Sequence, residues 1–211
     1  MSLNYQIFVL GPIDNNTYLL WDEETKQAVV IDPSFDPAPL VEVIKSKELT
    51  LTGIWLTHAH FDHTAGIPDL VATSKDYLPV FLHQGDLQLY KTGGGASFFD
   101  FTMPELPNPG GFFEDGQVLR IGTGGIEVRA TPGHCQGHVI FYAAEISTAF
   151  TGDLIFKHGV GRTDLPGSNH EDLLKSINLK VLSLPEETVL LSGHGEETTV
   201  QEEVNFNPYL N

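Results

Sequence analysis

The sequence has 211 residues, 41% of them hydrophobic, which is enough for a single domain that buries about 70% of its unfolded surface. Acidic residues outnumber basic ones by 28 to 11, and the net charge of −17 argues against nucleic acid as a partner, because clustered cations bind phosphate backbones. No apolar run could span a membrane and the opening segment does not resemble a signal peptide. We therefore expect residues 1–211 to form one cytoplasmic domain with no membrane partner.

Short runs of β-branched, aromatic and aliphatic residues, bounded by turn residues, predict strands along the whole chain. In chain order these are Tyr5–Leu10, Thr17–Trp21, Gln27–Ile31, Leu51–Leu56, Val80–Leu82, Val118–Ile121, Ile126–Ala130, Val139–Ala143, Thr148–Thr151 and Thr188–Leu191. Helical spacing of apolar residues is rarer and predicts three helices, Pro37–Lys47, Thr64–Ser74 and His170–Leu184. The segment Ser168–Glu171 fits a capping box at the start of the third helix. The pattern predicts sheets with helices on their outer faces.

One connection is longer than ordinary loops. It runs from Lys91 to Phe113 and contains several glycines and prolines with phenylalanines interspersed among them. Its phenylalanines are Phe98, Phe99, Phe101, Phe112 and Phe113. Two interpretations stay open: a surface flap that packs its own aromatic rings, or a flap that also covers a ligand.

Four candidate metal ligands follow directly after a predicted strand, in the run Thr57-His58-Ala59-His60-Phe61-Asp62-His63. A His-x-His pair in extended backbone points both imidazoles to one side. The turn into the next helix can bring Asp62 and His63 to a second point nearby. The single cysteine, Cys135, rules out both an intramolecular disulfide and a cysteine-rich zinc module. We interpret Cys135 as a small buried residue.

Three further candidates each lie just past the end of a predicted strand: His134, Asp153 and His194. Loops at one edge of a sheet system can bring distant residues into one pocket. A donor set of five histidines and two aspartates suits Zn²⁺, Fe²⁺ or Mn²⁺. The spacing therefore predicts two adjacent divalent metal ions.

Several segments, in the right order, resemble the metallo-β-lactamase superfamily and, within it, the short glyoxalase II-like (hydroxyacylglutathione hydrolase-like) group. The segments are THAHFDH, TPGHCQGH, FTGDLIF, GVGRTDLPGSN, SGHGEETT and FNPYL. The resemblance covers nearly the whole chain. It implies an α+β fold, an αββα sandwich of two mixed β-sheets flanked by helices, with the metal site at one edge.

The resemblance also implies roles for individual residues. The first metal would be held by His58, His60 and His134, the second by Asp62, His63 and His194, with Asp153 bridging them. Arg162 matches a position where relatives present a basic residue to the glutathione part of the substrate. An equal alternative for Arg162 is a structural ion pair with Asp164 or another acidic residue.

The sequence also departs from related groups. Full-length glyoxalase II enzymes continue into a helical C-terminal domain that supplies glutathione contacts, whereas this sequence ends at Asn211. Metallo-β-lactamases proper often place a cysteine in the second site, where this sequence has Asp153, so antibiotic hydrolysis is not expected.

These features predict a binuclear metal-dependent hydrolase that cleaves a thioester of a small thiol, such as S-lactoylglutathione. Two metals about 3.5–4 Å apart can share one hydroxide, which attacks the carbonyl. Asp62 and Asp153 are the predicted catalytic residues, and Asp62 orients the hydroxide or accepts its proton. A thiolate leaving group needs little help from a general acid.

Two other functions remain open from the sequence. Persulfide dioxygenases of the same superfamily share THxHxDH and GRTD, so a mononuclear iron oxidoreductase is the main alternative. A zinc-stabilised binding domain is the third interpretation, which the excess of ligands disfavours, because structural zinc sites are closed four-ligand sites.

Overall fold

The computed structural model describes residues 2–210. Its first sheet has six strands in the spatial order of the sequence: β1 (Leu3–Leu10), β2 (Asn15–Asp22), β3 (Gln27–Ile31), β4 (Thr50–Trp55), β5 (Val80–His83) and β6 (Gly111–Phe113). Strands β1 to β3 pair antiparallel, and β3 to β6 pair parallel, so the sheet is mixed.

The second sheet also has six strands and is mixed. In chain order they are β7 (Val118–Ile121), β8 (Gly124–Ala130), β9 (Val139–Ala143), β10 (Thr148–Gly152), β13 (Val189–Ser192) and β14 (Thr198–Thr199), arranged in space as β14-β13-β10-β9-β8-β7. Only β10 and β13 pair parallel. A separate two-stranded ribbon, β11 (Ile155–Phe156) and β12 (Gly159–Val160), follows β10.

The helices cover the outer faces of the two sheets. They are α1 (Ala38–Ser46), α2 (Ile67–Thr73), α3 (Leu87–Lys91), α4 (His170–Ser176) and α5 (Val200–Phe206), with α4 continuing as a π-helical segment, Ile177–Val181. No helix within residues 2–210 is long and apolar enough to cross a bilayer.

Successive strand residues point to opposite faces, and this alternation builds three apolar layers. On β3, Val30 packs with α1 and α2, while the next residue, Ile31, packs between the sheets. On β9, Ile140 packs against α4 and Phe141 packs between the sheets. The order of layers is helix, sheet, sheet, helix. The predicted α+β sandwich is confirmed.

The predicted helices are longer than the observed ones. The second helix begins at Ile67 rather than Thr64, because Phe61–His63 forms a separate 3₁₀ turn. The third helix is capped by Asn169, whose side chain accepts a hydrogen bond from the Asp172 N–H, rather than by Ser168.

Short elements are missing from the prediction. The sequence pattern predicts neither the helices α3 and α5 nor the strands β6, β11, β12 and β14. Two or three residues show no period, so strands of that length leave no pattern in the sequence. Gly111–Phe113, predicted as the end of the long loop, pairs with β5 as the edge strand of the first sheet.

Candidate metal centre

The predicted metal ligands all lie in loops that follow strands, at one edge of the sandwich. The chain leaves β4 and reaches His60 in extended conformation (φ −66°, ψ 153°), and the 3₁₀ turn Phe61–His63 follows. This change from extended to turned backbone separates the first two histidines from Asp62 and His63. The second sheet contributes residues after β8, β10 and β13.

The first cluster consists of His58, His60 and His134. All three side chains are buried, and one ligand nitrogen from each lies within 4.8 Å of the others. His134 Nε2 is 2.9 Å from His60 Nδ1. Three converging imidazoles are a donor set that Zn²⁺ and Fe²⁺ accept.

The second cluster consists of Asp62, His63 and His194, whose ligand atoms also lie within 4.8 Å of one another. Asp62 Oδ2 is 3.1 Å from His194 Nε2 and 3.3 Å from His63 Nε2. His63 is completely buried, whereas His194 is partly open to the cavity.

Asp153 lies between the clusters. Its Oδ1 is 3.4 Å from His63 Nε2, and its Oδ2 is 3.7 Å from His134 Nε2 and 3.8 Å from His194 Nε2. The carboxylate therefore reaches both donor sets. A Cβ atom at Gly193 would lie 2.1 Å from Asp153 Oδ1, so this close approach requires a glycine at that position.

Four of the histidines are oriented by a hydrogen bond at Nδ1, which leaves Nε2 for the centre. His134 Nδ1 lies 2.8 Å from the Arg162 carbonyl oxygen, and His194 Nδ1 lies 3.1 Å from that of Ile13. His58 Nδ1 lies 3.0 Å from Thr57 Oγ1. Such partners set the tautomer and ring direction of a metal ligand.

The fourth of these partners, Asp32, was missed by the sequence analysis. Its Oδ2 accepts from the Thr57 hydroxyl and lies 3.0 Å from His63 Nδ1, while its Oδ1 accepts from the Thr57 N–H. Asp32 directly follows β3, so the strand-end argument that found His134 would also have found it. Asp32, His58 and His63 also form a group of possible ligands. Because Asp32 faces Nδ1 of His63, we interpret it as an orienting group.

Three buried polar atoms in the centre have no hydrogen-bond partner: His58 Nε2, His63 Nε2 and Asp153 Oδ1. Buried polar atoms are almost always paired, and lone pairs converging on one another need a shared electrophile. Divalent metal ions satisfy this requirement, so the residues present fit the predicted cofactor.

Burial and charge act in opposite directions on the histidines. Burial, together with the neighbouring His134, lowers the pKa of His60 to about 3, and burial lowers that of His58 well below its ordinary value. Burial also opposes charge on His63, but the carboxylates of Asp62, Asp153 and Asp32 raise its pKa well above the ordinary range. His58 and His60 are therefore neutral imidazoles, the form that binds metal.

A second buried aspartate, also absent from the sequence analysis, ties two ligand loops together. Asp86 Oδ2 accepts a hydrogen bond from the Ala59 N–H at 2.9 Å and from Cys135 Sγ at 2.9 Å. Asp86 Oδ1 accepts from the Gly137 N–H at 2.6 Å. Burial and the Asp86 charge raise the pKa of the Cys135 thiol, which stays protonated. Cys135 is buried, as the sequence analysis expected.

The metal centre forms the floor of an open cavity of about 460 Å³. Of the eight predicted site residues, His60, Asp62, His134, Asp153, Arg162 and His194 line it, and His58 and His63 lie buried behind them. The structure thus brings all eight to one place. The assignment of each as a metal ligand, catalytic residue or substrate contact stays a prediction.

Both interpretations of Arg162 find support in its position. Its guanidinium donates two hydrogen bonds to Asp164, each 2.7 Å long, and lies 5.7 Å from the centre of the Phe99 ring. It also lines the cavity. The ion pair is on the exposed surface, so an anionic ligand can compete with Asp164 for the guanidinium.

Curated relatives match nearly the whole chain. The probable metallo-hydrolase YqgX of Bacillus subtilis is 39% identical over 96% of this chain and 95% of its own length. Hydroxyacylglutathione hydrolase GloC of Haemophilus influenzae is 33% identical over 99% of each protein.

Solved structures share the fold. BLEG-1 B3 metallo-β-lactamase superposes with a TM-score of 0.91, 36% identity and coverage of 99% of this chain and 100% of its own. TTHA1623 in a di-iron-bound form has a TM-score of 0.88 and 39% identity, and the match covers 97% of this chain and 100% of its own. ETHE1 from Myxococcus xanthus has a TM-score of 0.80 and 26% identity, and the match covers 97% of this chain and 83% of its own.

The family profile described as the metallo-beta-lactamase superfamily matches residues 10–194, a range that contains every predicted metal ligand. The match agrees with the layered sandwich and with the position of the donor clusters at its edge. The chain belongs to the metallo-β-lactamase superfamily.

Proposed function

We propose that this protein is a binuclear metal-dependent hydrolase that cleaves thioesters of a small thiol, with S-lactoylglutathione as the reference substrate. The observation that carries the proposal is the pair of adjoining donor clusters that share Asp153 at the floor of a cavity. A structural metal site needs only one closed set of four ligands. Two clusters that open into a cavity favour catalysis.

Two relatives support the cofactor and the reaction. The TTHA1623 structure carries two irons at 39% identity, and the GloC relative is a hydroxyacylglutathione hydrolase at 33% identity. We propose two divalent ions, zinc or iron with manganese as a further possibility. When bound, such a pair supplies Lewis acidity and a hydroxide nucleophile at neutral pH.

The residues of the chain hold and orient the reacting groups. His58, His60 and His134 would hold one ion, Asp62, His63 and His194 the other, and Asp153 both. At the cavity floor, the carboxylates of Asp62 and Asp153 can accept hydrogen bonds from water. In the overall reaction the carbonyl carbon gains an oxygen from water and the C–S bond breaks with its electron pair on sulfur. The products are the carboxylate, the thiolate and the two protons of the water. The thiolate is stable near neutral pH, so departure needs no dedicated acid.

The direct test is release of free thiol from S-lactoylglutathione, measured without oxygen on protein reconstituted separately with Zn²⁺, Mn²⁺ and Fe²⁺. We expect metal-dependent release with two ions bound per chain. Protein that holds two ions and cleaves no thioester would contradict the proposal. Oxygen consumption with a persulfide would then favour the iron oxidoreductase. Opening of a β-lactam ring would favour the activity in the name of the 36% identical BLEG-1.

Arg162 is proposed to contact the anionic part of the thiol. For Arg162→Ala we expect the KM for S-lactoylglutathione to rise about tenfold while kcat changes less than threefold, because one charged hydrogen bond contributes about 1.5–3 kcal/mol. Steady-state kinetics measures both constants. Arg120→Ala, on strand β7 outside the cavity lining, is the control. An unchanged KM would leave Arg162 with its ion pair to Asp164 alone.

A further inference from the structure

The side walls of the cavity differ in character from its floor. The floor is formed by metal-centre residues, whereas most of the remaining lining is apolar. The lining includes the rings of Phe61, Phe99 and Phe101, which pack together as one aromatic wall, and also Ile13 and Phe156, which both lie next to His194. An apolar cavity of this size with a few polar groups at one end is typical of small-molecule sites.

The aromatic wall is held in place by ring packing. The rings of Phe61 and Phe101 stack with centroids 5.1 Å apart, and Phe99 lies 5.5 Å from Phe61. Phe35 supports Phe101 from 5.7 Å. Phe61 is buried, whereas Phe99 is 40% exposed and offers its ring to the cavity. The wall is therefore preformed, and Phe99 is its accessible member.

Charged groups are few on these walls. Among the described residues that line the cavity, Arg162 is the only lysine or arginine, and it is paired with Asp164. Within residues 2–210, the lining contains no serine, threonine, asparagine or glutamine side chain that could bind a hydroxyl group. A polar substituent next to the scissile carbonyl would lose water and gain few hydrogen bonds. An apolar substituent would gain from contact with the rings.

From these walls we infer that the preferred substrates are thioesters whose acyl group carries an apolar aryl or alkyl substituent. This inference rests on the proposed thioesterase function and names its substrate class. The carbonyl lies at the floor, and the substituent packs among the apolar side chains that line the cavity, with Phe99 and Phe101 as its aromatic contacts. Phe99 is then a specificity-determining residue.

The experiment compares two thioesters of one uncharged thiol, S-phenylacetyl- and S-lactoyl-N-acetylcysteamine. The kcat/KM of each is divided by its rate of hydrolysis by free hydroxide, which removes the difference in intrinsic reactivity. We expect the corrected kcat/KM for the phenylacetyl compound to be at least tenfold higher, since one apolar group in a pocket contributes 10- to 200-fold.

Two phenylalanine variants test the origin of this preference. Phe99→Ala is expected to lower the kcat/KM for the phenylacetyl compound about tenfold and to change that for the lactoyl compound less than twofold. Phe98→Ala is the matched control, because Phe98 is the neighbouring ring, is 65% exposed and does not line the cavity. Equal corrected values for the two substrates, or an equal loss on both in Phe99→Ala, would overturn the inference.

Failure of the proposed function has a different signature. If no thioester is hydrolysed by the metal-loaded protein, binding of a non-hydrolysable thioether, S-(2-phenylethyl)-N-acetylcysteamine, is measured by calorimetry. Binding that Phe99→Ala weakens at least fivefold and Phe98→Ala does not would retain the apolar site without the thioesterase. Absence of binding would overturn the site as well.

Discussion

Each histidine whose Nε2 faces the metal centre has its Nδ1 next to a fixed polar group. The partners are a hydroxyl for His58, a carboxylate for His63 and backbone carbonyls for His134 and His194. Backbone carbonyls cannot be altered by substitution, so the orientation of these last two rings depends on the loops that present them. Ligand position and loop conformation are therefore coupled.

Asp153 is the residue whose loss has the largest expected effect on metal binding. In Asp153→Ala both clusters lose their shared carboxylate, and we expect both ions to be lost along with thioesterase activity. Metal content after dialysis, measured by inductively coupled plasma mass spectrometry, tests this. Asp62→Ala should lose only the second ion, and the exposed Asp76→Ala should lose neither. Two ions retained in Asp153→Ala would contradict the bridging role.

Asp86 is expected to act through the ligands rather than on the substrate. The Asp86 carboxylate accepts hydrogen bonds from Ala59, Cys135 and Gly137. In Asp86→Asn one of the two oxygens becomes an NH2 group, which cannot accept and would face a donor. We expect metal affinity to fall about 10- to 100-fold, as for other partners of ligand loops. Competition with a chelator measures this.

The control for Asp86 is Cys135→Ser, which retains a donor to the carboxylate and should bind metal like the wild type. If Asp86→Asn loses stability to urea but keeps its metal affinity, Asp86 is a purely structural residue.

At the residue scale, the sequence was sufficient to predict which side chains lie together at the candidate site, where residue type and spacing are distinctive. The run from His58 to His63 and the strand-end residues could be predicted because few structural needs produce such a set. Asp86 could not, because a lone aspartate before a helix is common, and for Asp32 the strand-end argument gives a position but no role. Their roles arise only from contacts with the loops that they hold.

At the scale of elements, the connection between α3 and β6 has two roles. Two of its phenylalanines, Phe99 and Phe101, both pack against Phe61 and line the cavity. The sequence analysis left both possibilities open, because ring content alone does not tell which face the rings present. The loop also contacts the metal-ligand segment directly, as the Phe61 N–H donates to the Gly94 carbonyl oxygen at 3.0 Å.

Gly93 and Gly94 allow a matched test of this contact. Both have positive φ, +82° and +62°, so alanine at either position adds a backbone strain of about 1–2 kcal/mol. A Cβ at Gly94 would lie 2.4 Å from the Phe61 nitrogen, whereas at Gly93 it would meet only Met103, at 3.6 Å. We expect Gly94→Ala to weaken metal binding at least tenfold and Gly93→Ala to lose only stability.

Chelator competition and thermal unfolding of both variants test this expectation. Equal metal affinity in the two variants would show that the loop does not position the ligand segment. Loss of metal in both would point to a general effect of strain in the loop.

At the scale of the whole molecule, strand β2 connects both ends of the sandwich. Its first residue, Asn15, forms a β-bridge with His194 at the metal edge. At its far end Asp22, buried, accepts hydrogen bonds from Thr25 in its own turn and from Thr123 in the turn between β7 and β8. Asp22 therefore ties the two sheets together away from the metals.

Asp22 gives a pH dependence with a defined sign. Burial alone would raise the pKa of its carboxyl group, but hydrogen bonds from Thr25 and Thr123 lower it well below the ordinary value. A lowered pKa means that ionised Asp22 stabilises the fold fully above the unfolded value, about 3.9, and that this stability is lost as the pH falls below it.

For Asp22→Asn we expect the free energy of unfolding at pH 7 to fall by about 1–3 kcal/mol and the difference from wild type to narrow between about pH 5 and pH 3. Urea unfolding across this range measures both. Any loss of stability from metal release in acid affects both proteins equally, so it cancels when their unfolding free energies are subtracted. Asp76→Asn should show a constant small difference. If the difference in unfolding free energy between wild type and Asp22→Asn became larger at low pH, the predicted direction of the pH dependence would be wrong.

The distribution of ligands over both sheets also sets the order of events when the protein is made. His60 and His134 are 74 positions apart, and Asp62 and His194 are 132 positions apart. A ribosome adds residues from the N-terminus, so the second cluster lacks a ligand until residue 194 has been synthesised. Such distant contacts form slowly, after local structure. On the proposed assignment, the second ion can be captured only after His194 has been added, and a nascent chain released before that point would lack one of the ligands.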